Sequence, residues 1–356
     1  MHIGPTVDLR NYEKYYEKFK KDLGSEPRCM EFHIIESDLT PELKQKMKLV
    51  NEFLKDKNLA ISFHCPDHPL NALTKARLEN KNPDYAKLML LADALKQIKQ
   101  KKFLVVHQGF IADRDVIEAM PLDVLVRMKK AIKTIAAEEL SIINKIFSNM
   151  TDLNTKSTAD KLAKSQSDLA IGAEILLEQS PVFAGANKLV HITDQCFEDF
   201  SNRNFRMVMD ISHIALLVHY FKQNKIAKSP TNKAKSDLAI SATKQKEKLN
   251  WMEVLKKEYN GIPKSLQSIE SYLQMAKEKT AWFHLSDANG IYVANEGLVI
   301  KDSKSTIDWN KIIKLIKDKE FGVLEILGCE KDYAKIQKSL KYLRMNNKEL
   351  FTHENN

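Results

Sequence analysis

The sequence predicts an α/β fold, a (β/α)8 barrel with helical and polar insertions, on three observations. Short apolar runs alternate along the chain with amphipathic stretches, the pattern of parallel strands joined by crossover helices. Eight such runs occur, and their centres are apolar for four or five consecutive residues, as needed where both faces of a sheet are covered. The alternative, a doubly wound sheet, would want a Gly-rich turn after its first strand, and none follows HIGPTV.

The strands are expected at 2–7 (HIGPTV), 29–35 (CMEFHII), 60–65 (AISFHC), 102–107 (KFLVVH), 173–178 (AEILLE), 205–211 (FRMVMDI), 280–285 (TAWFHL) and 321–327 (FGVLEIL). Helical periodicity is expected near 11–22, 41–55, 84–99, 122–148, 188–200, 213–222, 264–277, 309–318 and 331–343. Two segments exceed a minimal barrel. Residues 110–171 hold a long helix and then the polar tract SNMTDLNTKSTADKLAKSQSD; residues 223–249 are mostly Lys, Ser, Thr, Asn and Ala, with almost nothing large to bury. Both are read as passive insertions in a single barrel spanning 1–345, with a C-terminal tail at 346–356.

Composition bounds the function. At 356 residues, 43% hydrophobic and 29% charged, the chain can bury an enzyme-sized core. No apolar run approaches the roughly 18 residues of a membrane span. The opening MHIGPTVDLRNYEKYY has no signal-peptide apolar region. A soluble cytoplasmic protein without a membrane partner is expected. Cys29, Cys65, Cys196 and Cys329 form no CxxC pair, which fits reduced thiols. The net charge is +9, but 48 of the 56 basic residues are Lys and only 8 are Arg, the residue that forks onto phosphate. The excess reads as solvated helix surface. A nucleic-acid partner is disfavoured and homo-oligomerisation is left open.

The strongest signal is positional. Strand after strand ends in a side chain able to bind metal: His64 in ISFHCPD, His107 in LVVHQG, Glu178 in ILLEQS, Asp210 and His213 in VMDISH, His284 in WFHLSD, and Glu325 in VLEILG. In a (β/α)8 barrel the C-terminal strand ends converge on one mouth, so these distant residues become neighbours. Imidazoles with carboxylates suit Zn, Mn, Fe or Co, and Mg or Ca less well. One such His would read as an ordinary core residue; seven coincidences on one face read as a coordination set. The remaining histidines are read as structural: His33 inside a strand, His68 in a loop, His191 and His219 in helices, and the terminal His2 and His353.

The motifs HCPDHPLN, VVHQG, ILLEQSP, MDISH, FHLSDANG and LEILG, in that order over residues 28–330, resemble the xylose-isomerase-like TIM-barrel superfamily. That superfamily holds sugar and sugar-phosphate isomerases and epimerases together with endonuclease IV. The resemblance implies that Glu178, Asp210, His284 and Glu325 form a divalent-metal site (Mn, Zn, Co or Mg), and that His213 contacts substrate or a further metal. It also implies that His64 and His107, with Glu178 bridging, hold another ion.

The sequence departs from endonuclease IV after its seventh strand, where that enzyme carries an Asp-x-His pair. This chain has DANGIYVANEGLVIKDSKSTIDW, without His, which looks like the EGLxIGxGxIDW segment of isomerases and epimerases. There too it differs, with Lys301, Ser303 and Ser305 where small residues or Gly are usual. The resemblance therefore implies a metal-dependent isomerase or epimerase of a sugar-like small molecule. Glu178 and Glu325 would exchange protons through an enediolate, and His213 would orient a hydroxyl. An endonuclease IV-like phosphodiesterase on abasic DNA and a non-catalytic binding barrel in a sugar-modification pathway are the alternatives.

Overall fold

Side chains on a strand alternate between two faces, and that period decides what the interior of this barrel holds. The structure is a computed structural model; residues 1–66, 68–107, 122–147, 172–178, 205–226, 267–290, 296–301, 305–347 and 350–351 are described. The strands β1 (His2–Asp8), β2 (Cys29–His33), β3 (Ala60–His64), β4 (Lys102–His107), β5 (Ala173–Glu178), β6 (Arg206–Asp210), β7 (Thr280–His284) and β8 (Phe321–Leu324) close into a barrel in chain order. Every pairing is parallel, including β8 back onto β1.

Register sets the mouth. Asp8 lies opposite His33, His33 opposite His64, His107 opposite Glu178, and Asp210 opposite His284. At the junctions between, the ladder steps forward by two residues: His64 faces Val105, Glu178 faces Val208, and His284 faces Val323. Pairing of Pro5 with Leu324 sets the same step from β8 to β1. This is the stagger of about eight residues that closes a TIM barrel. It brings Asp8, His33, His64, His107, Glu178, Asp210, His284 and Glu325 into one inward ring, an ionisable residue at or just past the end of every strand.

Below the ring the interior is mostly apolar: Cys29, Phe103, Val105, Leu176, Val208, Trp282 and Val323 form one buried cluster. Gly4 is required there, because a Cβ would sit 2.0 Å from the Cys29 carbonyl oxygen of the adjacent strand. The opposite faces of the strands, including Met30, Phe32, Ile61, Phe63, Leu104 and Met209, pack against the helices. Helix α1 (Tyr12–Leu23) buries Tyr12, Tyr15, Tyr16, Phe19 and Leu23, and α2 (Leu43–Leu54) buries Leu43, Met47, Val50 and Leu54. That i, i+3, i+4 spacing puts one stripe inward. Each fully buried side chain contributes on the order of 1.5–3 kcal/mol.

Helix α3 (His68–Leu78) begins at His68, a residue expected in a loop; Pro69 falls in its first turn, where the missing N–H has no helical partner to lose. The helices α4 (Ala86–Leu95), α5 (Leu122–Phe147), α6 (Ile211–Ile226), α7 (Ile269–Ala276), α8 (Trp309–Ile316) and α9 (Ala334–Asn346) match expected helical stretches. The expected helix 188–200, residues 148–171 and 227–249 of the polar insertions, and His191, Cys196 and His353 lie outside the described residues. Among the described residues no helix is long and apolar enough to cross a membrane.

Lys102 is buried on the outer face of β4, its Nζ donating to the Ile98 carbonyl at 3.0 Å. Burial, helped by the nearby Lys99 charge, lowers its pKa from 10.5 to about 8. Below pH 8 the ammonium is charged in both folded and unfolded chains, so its burial cost is fully present; the cost fades as pH rises from about 8 towards 10.5. Lys102→Met is therefore expected to stabilise the fold at pH 7 by about 2 kcal/mol, the shift less one lost hydrogen bond. Chemical denaturation at pH 7 and pH 10 checks this: the gain should shrink at the higher pH.

Candidate metal centre

Local chemistry aims most of the ring at a common point, while Asp8 turns to Arg10 and Asn11. Asp210 ends β6 and caps α6: its Oδ1 accepts from the His213 backbone N–H at 3.0 Å and from the Ser212 hydroxyl at 2.7 Å. Oδ2 is left for the mouth. The cap also places His213 in the first turn of α6, where Nδ1 is 3.6 Å from Glu178 Oε1 and Nε2 is 3.7 Å from Asp210 Oδ2. His64 donates Nδ1–H to the Cys65 carbonyl at 3.1 Å, which turns Nε2 towards Glu178 Oε2 at 2.8 Å. His107 Nε2 reaches the same oxygen at 3.2 Å.

His284 Nδ1 is the hub. It lies 2.7 Å from Glu325 Oε2, 3.0 Å from Glu178 Oε1 and 3.9 Å from Asp210 Oδ2. Thus all seven residues expected from the sequence come together. Donor atoms of His64, Glu178, His284 and Glu325 lie within 4.8 Å of one another, as do those of Glu178, Asp210 and His213. Either group could hold a metal ion, and Glu178 belongs to both. Glu178 is 1% exposed, whereas Glu325 keeps 18% of its side chain open to the mouth.

Two participants escaped sequence reasoning. Glu296 Oε2 sits 3.2 Å from His213 Nε2. Its loop is pinned by mutual backbone hydrogen bonds between Asp287 and Leu298, and by Leu327 N–H donating to the Gly297 carbonyl. Gly297 has φ +64°, and a Cβ there would meet Leu327 Cγ at 2.3 Å, so the EGL turn accepts no side chain at its centre. Asp287 completes the anchor by accepting from Lys301 N–H and the Trp309 indole, each at 2.8 Å, while Asp308 caps α8. This is the local reason for the Ile-Asp-Trp tract. The second is Glu31, an acid in the middle of CMEFH; an acid at an inward position of a buried strand was the available signal. His33, read as lying inside a strand, ends β2 with its ring 4.9 Å from that of His64. His219 lies away from the cup, between the Gly290 carbonyl at 3.1 Å and the Thr306 hydroxyl at 2.6 Å, as a structural histidine would.

The electrostatics test whether these donors suit a cation. Among the described residues, Glu178, Asp210 and Glu325 form ion pairs only with imidazoles. Burial raises the Asp210 carboxyl to about 6, with Glu325 and Glu178 adding repulsion against the pull of His213. Burial would lower His64, but Glu178 and Glu325 outweigh it and raise it to about 9. His213 and His284 are raised well above the usual imidazole range against the same burial cost, the first chiefly by Asp210 and Glu296, the second by Glu31 and Glu325. Glu178 and Glu325 are held low, as the imidazoles override burial. The buried acids need positive charge, which protons supply in the ion-free protein. A divalent cation fits the same demand with a mixed nitrogen and oxygen donor set.

No family model matches the chain, and no curated protein matches its sequence. Solved structures do match. A D-tagatose 3-epimerase-like protein superposes with a TM-score of 0.54 at 15% identity, covering 98% of this chain and 100% of the other. An L-ribulose 3-epimerase gives 0.51 at 10% identity, covering 98% and 95%. Endonuclease IV from Thermus thermophilus reaches 0.45 at 13% identity, covering 97% and 100%, too low to argue from. At such identities likeness speaks for architecture alone, and that architecture is a (β/α)8 barrel.

Proposed function

We propose that the protein is a divalent-metal-dependent isomerase or epimerase acting on a sugar or sugar-derived compound. The observation that carries this reading is the convergence of Glu178, Glu325 and Asp210 on His284 Nδ1 at the mouth of the barrel. The L-ribulose 3-epimerase and the D-tagatose 3-epimerase-like protein, both at TM-scores above 0.5, lend the fold. Glu178, Asp210, His284 and Glu325 would hold the ion, Mn, Zn, Co or Mg. When bound, it would supply Lewis acidity for a carbonyl and a neighbouring hydroxyl.

The protein's own groups do the rest. Glu325, partly open to the mouth, takes the proton from the carbon beside the carbonyl and holds it on its carboxylate. In an epimerisation Glu178, from β5 three strands away, would return a proton to the opposite face of that carbon, drawn from the imidazoles around it; in an isomerisation Glu325 would return its own proton to the adjacent carbon. His213 orients a substrate hydroxyl from the α6 side. Because Glu325 keeps 18% of its side chain open to the mouth, the proton it holds exchanges with solvent.

A second reading, a phosphodiesterase on abasic DNA, is favoured by one observation. His64 and His107 both reach Glu178 Oε2, which leaves donors for more than one ion. The metal count separates the two. Elemental analysis of the purified protein is expected to give one tightly held ion, with solvent deuterium entering the carbon beside the carbonyl in at least one member of a ketose and aldose panel. Three zincs, with salt-dependent binding of abasic duplex DNA, would transfer the reading to the nuclease. Neither exchange nor cleavage would leave a non-catalytic binding barrel.

A further inference from the structure

We propose that Glu31 is the positioning residue of the cup, fixing the ring of His284 so that Nδ1 and not Nε2 faces the ion. The inference rests on the metal-centre reading above and deepens it. Glu31 is fully buried one inward layer below the ring, where most of the barrel interior is apolar. Register makes it the middle of a polar trio on adjacent strands, with Thr6 opposite on β1 and Ser62 opposite on β3.

Its oxygens are all directed. Oε2 accepts from the Ser62 hydroxyl at 2.8 Å and from His284 Nε2–H at 3.1 Å; Oε1 lies 3.5 Å from the Thr6 hydroxyl. A buried carboxylate costs several kcal/mol unless it is paired and hydrogen-bonded. Ser62 and Thr6 hold it from two sides, and the strong donor they leave it facing is His284. The imidazole has two nitrogens and only one can meet the ion. With Nε2–H committed to Glu31, Nδ1 is the nitrogen left to face Glu178, Asp210 and Glu325; it donates to them while protonated and offers its lone pair to an ion once that proton leaves. This is a carboxylate–histidine pair beneath a metal site, an arrangement that orients the ligand and raises its basicity. It also shows why an acid is tolerated in CMEFH, in the middle of a strand.

The test needs no substrate. Glu31→Met fills the space without an acceptor, and Glu31→Gln keeps one acceptor oxygen without the charge. Zinc affinity, measured against a competing chelator, is expected to fall about 10–100-fold in Glu31→Met and less in Glu31→Gln. In 15N-histidine spectra the wild type should show a slowly exchanging proton on His284 Nε2, with and without zinc. Glu31→Met should lose it. A purely structural Glu31 would alter the melting temperature and leave zinc affinity untouched; a folded Glu31→Met or Glu31→Gln with wild-type affinity overturns the proposal. If the wild type takes up no metal, the metal-centre reading fails, and the Nε2 proton alone decides: its presence in wild type and loss in the variant sustain the positioning role, its absence in wild type refutes it.

Discussion

In Glu325→Gln, turnover is expected to fall on the order of 10³-fold while metal affinity drops no more than about tenfold. The two acids should not behave alike, because their surroundings differ. Glu325 lies just past the end of β8 with part of its side chain open to the mouth, within 2.7 Å of His284 Nδ1. An amide keeps an oxygen for the ion there but cannot take a proton. Glu178 is closed off, with His64, His107, His213 and His284 all within 3.6 Å of its carboxylate. Glu178→Gln removes the one charge common to both donor groups and leaves those imidazoles facing an amide. Metal affinity should fall at least about 100-fold, and turnover with it. Glu325→Gln should melt close to the wild type; Glu178→Gln, which removes the carboxylate that holds His64 charged, should stay folded on its untouched apolar cluster but melt lower near pH 6.5. Deuterium exchange and chelator competition on each variant separate proton transfer from metal binding. Normal turnover in either would remove that residue from the acid/base pair.

The barrel was legible because each strand announces itself twice, by a short apolar run and by a polar residue where the run stops. A parallel strand buried on both faces has no polar alternation except where it leaves the apolar interior, so its terminal residue stands out. His64, His107, Glu178, Asp210 and His284 are each the last residue of a strand. Glu31 gave a weaker sign, because a single acid inside an apolar run reads as a tolerated defect until its partner is known, and that partner is 253 positions away. Glu296 lies in a loop whose path depends on the bridge of Asp287 with Leu298 and the contact of Gly297 with Leu327. No periodicity encodes such a path. The helix beginning at His68 was missed for a different reason: CPDHPLN carries turn residues, and Pro suits the first turn of a helix as well as a loop.

Metal affinity is expected to rise at least tenfold for each pH unit between about 6.5 and 8.5. In the ion-free protein His64 keeps its proton until about pH 9, and His213 and His284 hold theirs well above the usual imidazole range. A metal needs a bare nitrogen, so binding in this window must displace at least the His284 Nδ1 proton. Each displaced proton adds a tenfold dependence per pH unit. Below pH 6 Asp210 also protonates, and the dependence should steepen as that ligand is neutralised. Above pH 9 it should ease by the share of His64, as that imidazole becomes neutral unaided. Chelator competition across pH 5.5–9.5, with calorimetry in buffers of different protonation enthalpy, counts the protons released; a flat profile would sink the account. Stability follows with the opposite sign. Because the folded-state value of His64 is raised, the stability it contributes is complete below its ordinary 6.5 and is lost as pH rises through about 9. The metal-depleted protein should therefore unfold more easily at pH 9 than at pH 6.5, and added metal should restore most of the difference. Protons and a divalent ion are alternative ways of neutralising the same buried carboxylates, so the chain folds best when it holds one or the other.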